Sequence, residues 1–337
     1  MNPTPSLRKA LSDSPLLFPI DMDVNGEFVQ FVRTTESDYA SASFLDQRML
    51  KAGQHIAPIA WSEVSAAANH LPLYCDFIFH ISHVGSTLLS RLLGQHQALF
   101  SLREPAILRR FAAGEFPERW KVFLGLWSRT FHPQQKTVIK ATSFVSSIAD
   151  HLLELVNDSR AVLMYVPART FIAAMLDGVM SDIDSLAPLR LARLQNFGWL
   201  PEVQLPSLAR GEKVAMSWLA EMLSLQHTAE RFPERTIWLD FDAFLENVEL
   251  HLAVTLSYFG VNDDCQSLLT GRTLDEYAKR PELPYNSAFR QQLLTRAKTR
   301  HVEEISLGLS WLERAFCELE HSHASTIQSL KEKSAIR

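Results

Sequence analysis

FIFHISHVGSTLLSRLLG, residues 77–94, opens as a run that is apolar at nearly every position and closes with leucines at 88, 89, 92 and 93. The first half suits a strand buried on both faces, and the second has the 3.6-residue spacing of a helix. Between them His83-Val84-Gly85-Ser86-Thr87 must turn the chain from strand to helix. In such a turn the backbone N–H groups of Val84 to Leu88 and the helix N-terminus converge on one point. An anion is favoured there by about 0.3–1 kcal/mol per dipole contact. Gly85 lets the backbone come close to a ligand, and the Ser86 and Thr87 hydroxyls add donors. The segment therefore reads as a phosphate-holding strand–loop–helix; the plainer alternative is a tight turn with an N-cap.

Working outward, further apolar runs are TVIK at 137–140, AVLMYV at 161–166, TIWL at 236–239 and a weaker ALFSL at 98–102. They alternate with helical periodicity over 148–156, about 214–230, 243–259 (closed by Gly260 as a C-cap glycine) and about 288–319. Buried strands alternating with helices imply a mainly parallel sheet with right-handed crossovers, an α/β three-layer sandwich. Upstream, Asn25-Gly26 between two alternating runs predicts a hairpin. The expected organisation is an N-terminal extension, 1–75, packed on a core domain of 76–320, followed by a polar tail, 321–337. No internal repeat or heptad run is present.

Apolar residues make up 47% of the 337 and charged residues 21%, a globular composition. The net charge of -5 argues against a nucleic-acid partner, which calls for a basic surface. Cys75, Cys265 and Cys317 are widely spaced with no CxxC pair, so a reducing cytoplasm is expected rather than a disulfide or zinc framework. No run of 18 uncharged apolar residues and no secretory h-region occurs, so no membrane partner is expected. His80 with His83, and His321 with His323, lack a third ligand at metal spacing. The loop has no GxxxxGK[ST] and no lysine before Ser86, which disfavours an NTP hydrolase or kinase.

The stretch ISHVGSTLLSRLL resembles the loop of sulfotransferases, in particular the bacterial and tyrosylprotein-type branch whose loop reads PRSGSTLL or similar. Further matches follow in order: Arg103-Glu104-Pro105, VIKATSF around Lys140, VLMYVPARTFIAAML around Arg169, IWLDFDAFLENVELHLAVTLSYFG at 237–260, and LDEYAKRPELPYNSAFR at 274–290. The resemblance implies a P-loop nucleoside triphosphate hydrolase-like fold and a donor, 3′-phosphoadenosine 5′-phosphosulfate, used without a metal. It places the donor's 5′ end on His83, Val84, Gly85, Ser86, Thr87 and Leu88, with Arg169 and Lys279 as further nucleotide contacts. His83 stands where the family has a lysine or arginine. Unperturbed imidazole titrates near pH 6.5, so its charge is conditional where theirs is permanent, with a reference value of about 6.5.

The resemblance also makes Glu104 the general base towards the acceptor and Lys140 the cation that reaches the transferring group. An alcohol attacks sulfur poorly until its proton is removed, a contribution of about 10²–10⁴-fold. The alternative for Glu104 is pairing with Arg103 or capping the helix after Pro105; for Lys140 it is a strand-end lysine reaching to solvent. Arg169 is displaced by one residue from the family arginine, and Ala173, Ala174 and Asp177 occupy the stretch where a serine is expected. The acceptor is a hydroxyl or amine on a small molecule or a peptide. Two other functions share the fold: a P-loop phosphotransferase or NTP hydrolase, and a nucleotide-binding protein without catalysis.

Overall fold

Asn25-Gly26 turns the chain between β1 (Leu17–Met22) and β2 (Phe28–Arg33), which pair antiparallel as the alternating runs predict. Asp23 holds the turn: one carboxylate oxygen accepts from the Phe28 N–H at 2.6 Å and the other from that of Asn25 at 3.2 Å. A short β3 (Ile59–Ala60) adds to the other edge of β2. The structure, a computed structural model, describes residues 5–49, 53–54, 56–178, 181–199, 204–262, 265–269 and 287–335.

Each of the five apolar runs is a strand: β4 (Cys75–His80), β5 (Leu99–Arg103), β6 (Lys136–Lys140), β7 (Ala161–Tyr165) and β8 (Thr236–Asp240). They form one sheet in the order β5-β6-β4-β7-β8, and β4 and β5 both pair with β6 in parallel. Every residue of β4 and β5 is buried, which is why these runs show no polar alternation.

Two compact units divide the described residues. The first takes those of Met1–Phe79, Ser86–Val162 and Glu249–Leu274. Within it, arginines fasten the N-terminal 40 residues by donating to backbone carbonyls. Arg129 donates to the carbonyls of Leu11 (3.1 Å), Ser14 (2.7 Å) and Leu17 (2.8 Å), and Arg110 to those of Met22 and Asp23 at 2.7 and 2.9 Å. Arg119 donates to the Gly26 carbonyl while its guanidinium lies 4.6 Å from the Trp61 ring centre. Arg103 donates to the carbonyls of Tyr39 and Ala40. Burial brings Arg103 and Arg129 down to about 10, the expected direction when a cation leaves water for carbonyl dipoles alone.

The second unit takes the described residues of His80–Gly85, Leu163–Val248 and Asp275–Arg337. Its long helices Arg210–Arg231 and Val302–Ser334 cross at glycines: a Cβ on Gly211 would sit 1.7 Å from the Glu304 carbonyl oxygen, and one on Gly308 2.5 Å from that of Gly211. Trp218, fully buried, donates its indole N–H to the Val166 carbonyl at 3.0 Å and so joins the first of these helices to the chain just beyond β7.

Helix boundaries depart from the periodicity in three places. The stretch 243–259 is two helices, Phe241–Glu246 and Val248–Tyr258, parted at Asn247, whose φ of -144° and ψ of 76° are not helical. The stretch 288–319 is likewise two, Ser287–Arg300 and Val302–Ser334, parted at His301. Lys298 and Arg300 close the first of these and Glu303 and Glu304 open the second, each charge suiting its end of the helix dipole. Instead of a tail after Leu319, helical structure runs on to Ser334 across a break at His323 (φ -140°, ψ 45°), and Ile327, Leu330 and Ser334 give the last segment a buried stripe.

Candidate functional site

β4, β5 and β6 are parallel, so their carboxyl ends share one edge of the sheet, the edge where open α/β sheets hold ligands. Lys140 is the last residue of β6, in register with Arg103 of β5 and Ile78 of β4. Glu104 follows β5 directly in the left-handed conformation, φ 53°, with its N–H donating to the Lys140 carbonyl at 2.7 Å. Such a backbone costs a non-glycine residue roughly 1–3 kcal/mol and persists only where its surroundings hold it.

Inside the first unit the structure brings Thr87, Glu104 and Lys140 together. The Lys140 ammonium donates to Glu104 Oε1 in a short charged contact and to Thr87 Oγ1 at 3.1 Å. Arg109 supplies a second cation, its Nη2 3.5 Å from Glu104 Oε2. Lys140 is 1% exposed and Glu104 7%, so these are charges taken out of water, tolerable only because each faces its opposite. Thr87 is the second residue of the helix Ser86–Leu93, whose N-terminus brings its own partial positive charge; Ser86 and Leu88 are buried beside it. Arg103, the neighbour of Glu104, donates to the Tyr39 and Ala40 carbonyls, while Glu104 faces Lys140 and Arg109. Lys140 does not reach to solvent.

His83, Val84, Gly85 and Arg169 belong to the second unit. His83 and Gly85 both have positive φ, 61° and 60°. Gly85 is required twice over: an added Cβ would lie 2.0 Å from the Phe241 ring. The His83 ring is half-buried, with its Cε1 3.6 Å from where a Gly178 Cβ would stand. Arg169, on the helix Ala168–Leu176, has an exposed side chain. Asp177 ends that helix and pairs with Arg296 at 3.0 Å, Arg300 at 3.6 Å and His301 at 3.7 Å. Asp240 and Asp242 have structural places: Asp240 accepts from the Asp242 N–H as an N-cap, and Asp242 pairs with Arg290 at 2.7 Å. Lys279, like Arg272 and Arg280, lies outside the described residues.

Sequence reasoning did not single out Arg109 or the segment that borders the cluster. The Phe44 ring centre is 5.6 Å from the Lys140 ammonium, and the Arg48 guanidinium lies over the same ring at 3.8 Å. Asp46 holds Arg48 with Oδ1 2.9 Å from its Nε. Burial pushes Asp46 up, but hydrogen bonds from the Arg48 side chain and backbone outweigh it and hold the carboxyl below its ordinary value. No local motif marks these residues; Arg109 lies on the short helix that begins three residues beyond Glu104, five positions from it and so outside helical pair spacing.

Among the described residues no group of three or more His, Cys, Asp or Glu is placed to hold a metal, and no helix is long and apolar enough to cross a membrane. No family model matches the chain, and no curated protein matches it. Solved structures similar to it include a sulfotransferase domain from the curacin biosynthetic pathway (12% identity, 68% of this chain and 97% of that one, TM-score 0.40). Another is a sulfotransferase from Alicyclobacillus acidocaldarius (13% identity, 72% of this chain and 96% of that one, TM-score 0.36). A third is the sulfotransferase domain of a Synechococcus olefin synthase (14% identity, 68% and 96%, TM-score 0.36).

Proposed function

We propose that the chain transfers a sulfuryl group from 3′-phosphoadenosine 5′-phosphosulfate to an acceptor hydroxyl. The observation that carries this reading is the buried cluster of Thr87, Glu104 and Lys140, formed at the carboxyl ends of parallel strands by residues the loop resemblance nominates. The fit to the donor is one of charge: an ammonium, a hydroxyl and a helix N-terminus stand together, as a phosphosulfate requires.

In this mechanism Ser86, Thr87 and the helix N-terminus hold the donor's anionic end. As the bond between sulfur and the bridging oxygen breaks, negative charge gathers on that oxygen. Lys140, fixed in advance, stabilises it without reorganisation. Glu104 takes the proton of the attacking hydroxyl and is kept aimed by Lys140 and Arg109. His83, Val84, Gly85, Arg169 and Lys279 are the remaining nucleotide contacts of the proposal.

Thermal unfolding tests it. Adenosine 3′,5′-bisphosphate at a hundred times its dissociation constant should stabilise the protein by about 2.7 kcal/mol with no metal present. A shift with magnesium-ATP alone would overturn the reading in favour of a phosphotransferase or NTP hydrolase. Binding without turnover of the phosphosulfate donor would mark a non-catalytic nucleotide-binding protein.

A further inference from the structure

Leu45 clasps the backbone on either side of Glu104: its N–H donates to the Arg103 carbonyl at 2.7 Å, and its carbonyl accepts from the Ala106 N–H at 3.3 Å. With the Glu104 N–H given to the Lys140 carbonyl, these bonds hold the left-handed turn in place. The residues beside Leu45 carry charge and an aromatic ring. Asp46, its side chain 14% exposed, accepts from the Arg48 backbone N–H at 2.9 Å and grips the guanidinium with both oxygens, at 2.9 and 3.0 Å from Nε. A planar fork closed between residues two apart fixes the arginine in one pose at little entropic cost. Phe44 holds it as well, with the guanidinium 3.8 Å from the ring centre, and the same ring centre stands 5.6 Å from the Lys140 ammonium. All of these residues belong to the first unit.

Several elements bring charge to Glu104. Lys140 on β6, Arg109 on the helix Ile107–Ala112 and the partial positive charge of the helix that holds Thr87 all bear on it. Arg103, next to it in the chain, carries a further cation turned to the Tyr39 and Ala40 carbonyls. Arg48 interacts electrostatically with Glu104, and Asp46 with Arg109, so the pair reaches the carboxylate by two routes, directly and through the arginine beside it. The two members act in opposite senses: the Asp46 carboxylate offsets the cations around Glu104, and the Arg48 guanidinium adds to them. A base crowded by fixed cations takes up a proton poorly, whereas one with too few is already protonated at working pH.

We propose that Asp46 and Arg48 are positioning residues for Glu104, the pair setting how readily that carboxylate takes the acceptor's proton, an inference that rests on the sulfuryl-transfer reading above. Both act through Glu104. The segment 44–48 is then part of the site, although it lies in the N-terminal stretch that the sequence presents as an extension packed on the core.

Two measurements test it, one without the chemistry and one with it. A carbon-13 label on the glutamate carboxyls reports the titration of Glu104 by NMR in the full chain without nucleotide, its signal identified by its absence from Glu104→Gln. The pH profile of kcat/KM for turnover of the phosphosulfate donor reports the same group at work. Asp46→Asn removes the offsetting charge and should move both curves to lower pH; Arg48→Met removes a cation and should move them to higher pH. On the acid limb each displacement should read as about a twofold to fivefold change in rate at fixed pH, upward for Asp46→Asn and downward for Arg48→Met. The double variant Asp46→Asn/Arg48→Met should return to within about twofold of wild type, since the two charges leave together. Arg48→Lys, which keeps the charge, should keep the limb in place as well. Salt at about 1 M, where the Debye length is about 3 Å, should shrink both single displacements. A merely structural pair gives another pattern: both single variants lose plateau rate, the double variant loses most, and the limb stays put. That pattern, single variants displaced in the same direction, or Arg48→Lys behaving as Arg48→Met, would each overturn the proposal. Donor turnover with an unmoved limb would overturn it and leave the sulfuryl-transfer reading standing. Opposite displacements of the NMR titration in a protein that does not turn over the donor would support the coupling and overturn the sulfuryl-transfer reading.

Discussion

Replacing Lys140 by Met removes the ammonium from the centre of the cluster while keeping most of its apolar stem. Lys140 and Glu104 are 1% and 7% exposed, so Glu104 would keep a buried charge while Arg109 faces it from 3.5 Å away on a side chain 49% exposed. Breaking a buried pair by removing one partner costs about 3–5 kcal/mol. A half-exposed arginine returns about 0.2–1 kcal/mol of that. The expected loss is therefore about 2–4 kcal/mol, which in a chain of this size lowers Tm by roughly 3–6 °C. Glu104→Gln keeps an acceptor for Lys140 and should cost less, about 1–3 kcal/mol. In the double variant Lys140→Met/Glu104→Gln no charge is stranded, so stability should recover towards that of Glu104→Gln alone, a coupling of about 0.5–3 kcal/mol. Turnover should fall by about 10²-fold or more in all three and not recover. Denaturant titration followed by tryptophan fluorescence gives the stabilities, and turnover of the phosphosulfate donor gives the rates. Strictly additive losses, or a Lys140→Met protein as stable as wild type, would refute the buried pair; a double variant with restored turnover would refute its chemical role.

Gly85→Ala places a methyl group 2.0 Å from the Phe241 ring at a φ of 60°, so about 1–3 kcal/mol of stability should go, with the bisphosphate thermal shift much reduced; melting curves with and without nucleotide check both. Burial pushes the Cys75 thiol up to about 12 from 9.0, a rise that a hydrogen bond to Ser128 only partly offsets. The folded state then keeps a proton the unfolded chain loses above pH 9, so this contribution is full below pH 9 and declines by about 1.4 kcal/mol per pH unit above it. Denaturation at pH 8 and pH 10.5 should show a shallower decline for Cys75→Val than for wild type, and equal slopes would contradict it. Arg129→Met strands the carbonyls of Leu11, Ser14 and Leu17, worth about 1–3 kcal/mol, and should speed amide exchange over residues 8–20 by about tenfold or more. Unchanged exchange there would mean that the arginine does not hold the N-terminal segment.

The parts of the molecule differ in how far their own residues announce them. β4 is buried at every position and its apolar run stands out; β5 is buried too but reads more weakly, with Ser101 and Arg103 in it, and Glu104 just beyond it is nominated by the resemblance. Helix breaks at Asn247 and His301 escape a periodicity argument, because one residue leaving helical φ/ψ scarcely disturbs the spacing on either side. At His301 the charges were the better guide, with basic residues before it and acidic ones after. The segment that borders the cluster is harder still. Phe44, Asp46 and Arg48 come from some sixty residues upstream of Glu104, in a segment with no strand period and no motif. Backbone bonds at Leu45, Arg103 on the Tyr39 and Ala40 carbonyls and Arg91 on the Ser43 hydroxyl tie that segment down, and none of these leaves a pattern in the residue types.

That difference has a functional corollary. Residues at strand ends are constrained by the register of a buried sheet, so the groups that move charge, Lys140 and Glu104, are locked to the core and cannot drift without unfolding it. The segment 38–49 is tied down through backbone bonds at Leu45, through Arg103 on the Tyr39 and Ala40 carbonyls and through Arg91 on the Ser43 hydroxyl, not through the register of a strand. Exchanging Lys140 or Glu104 should therefore abolish transfer for every acceptor alike, because both the charge and its position are set by the sheet; a variant of either that kept full transfer to one acceptor would refute this.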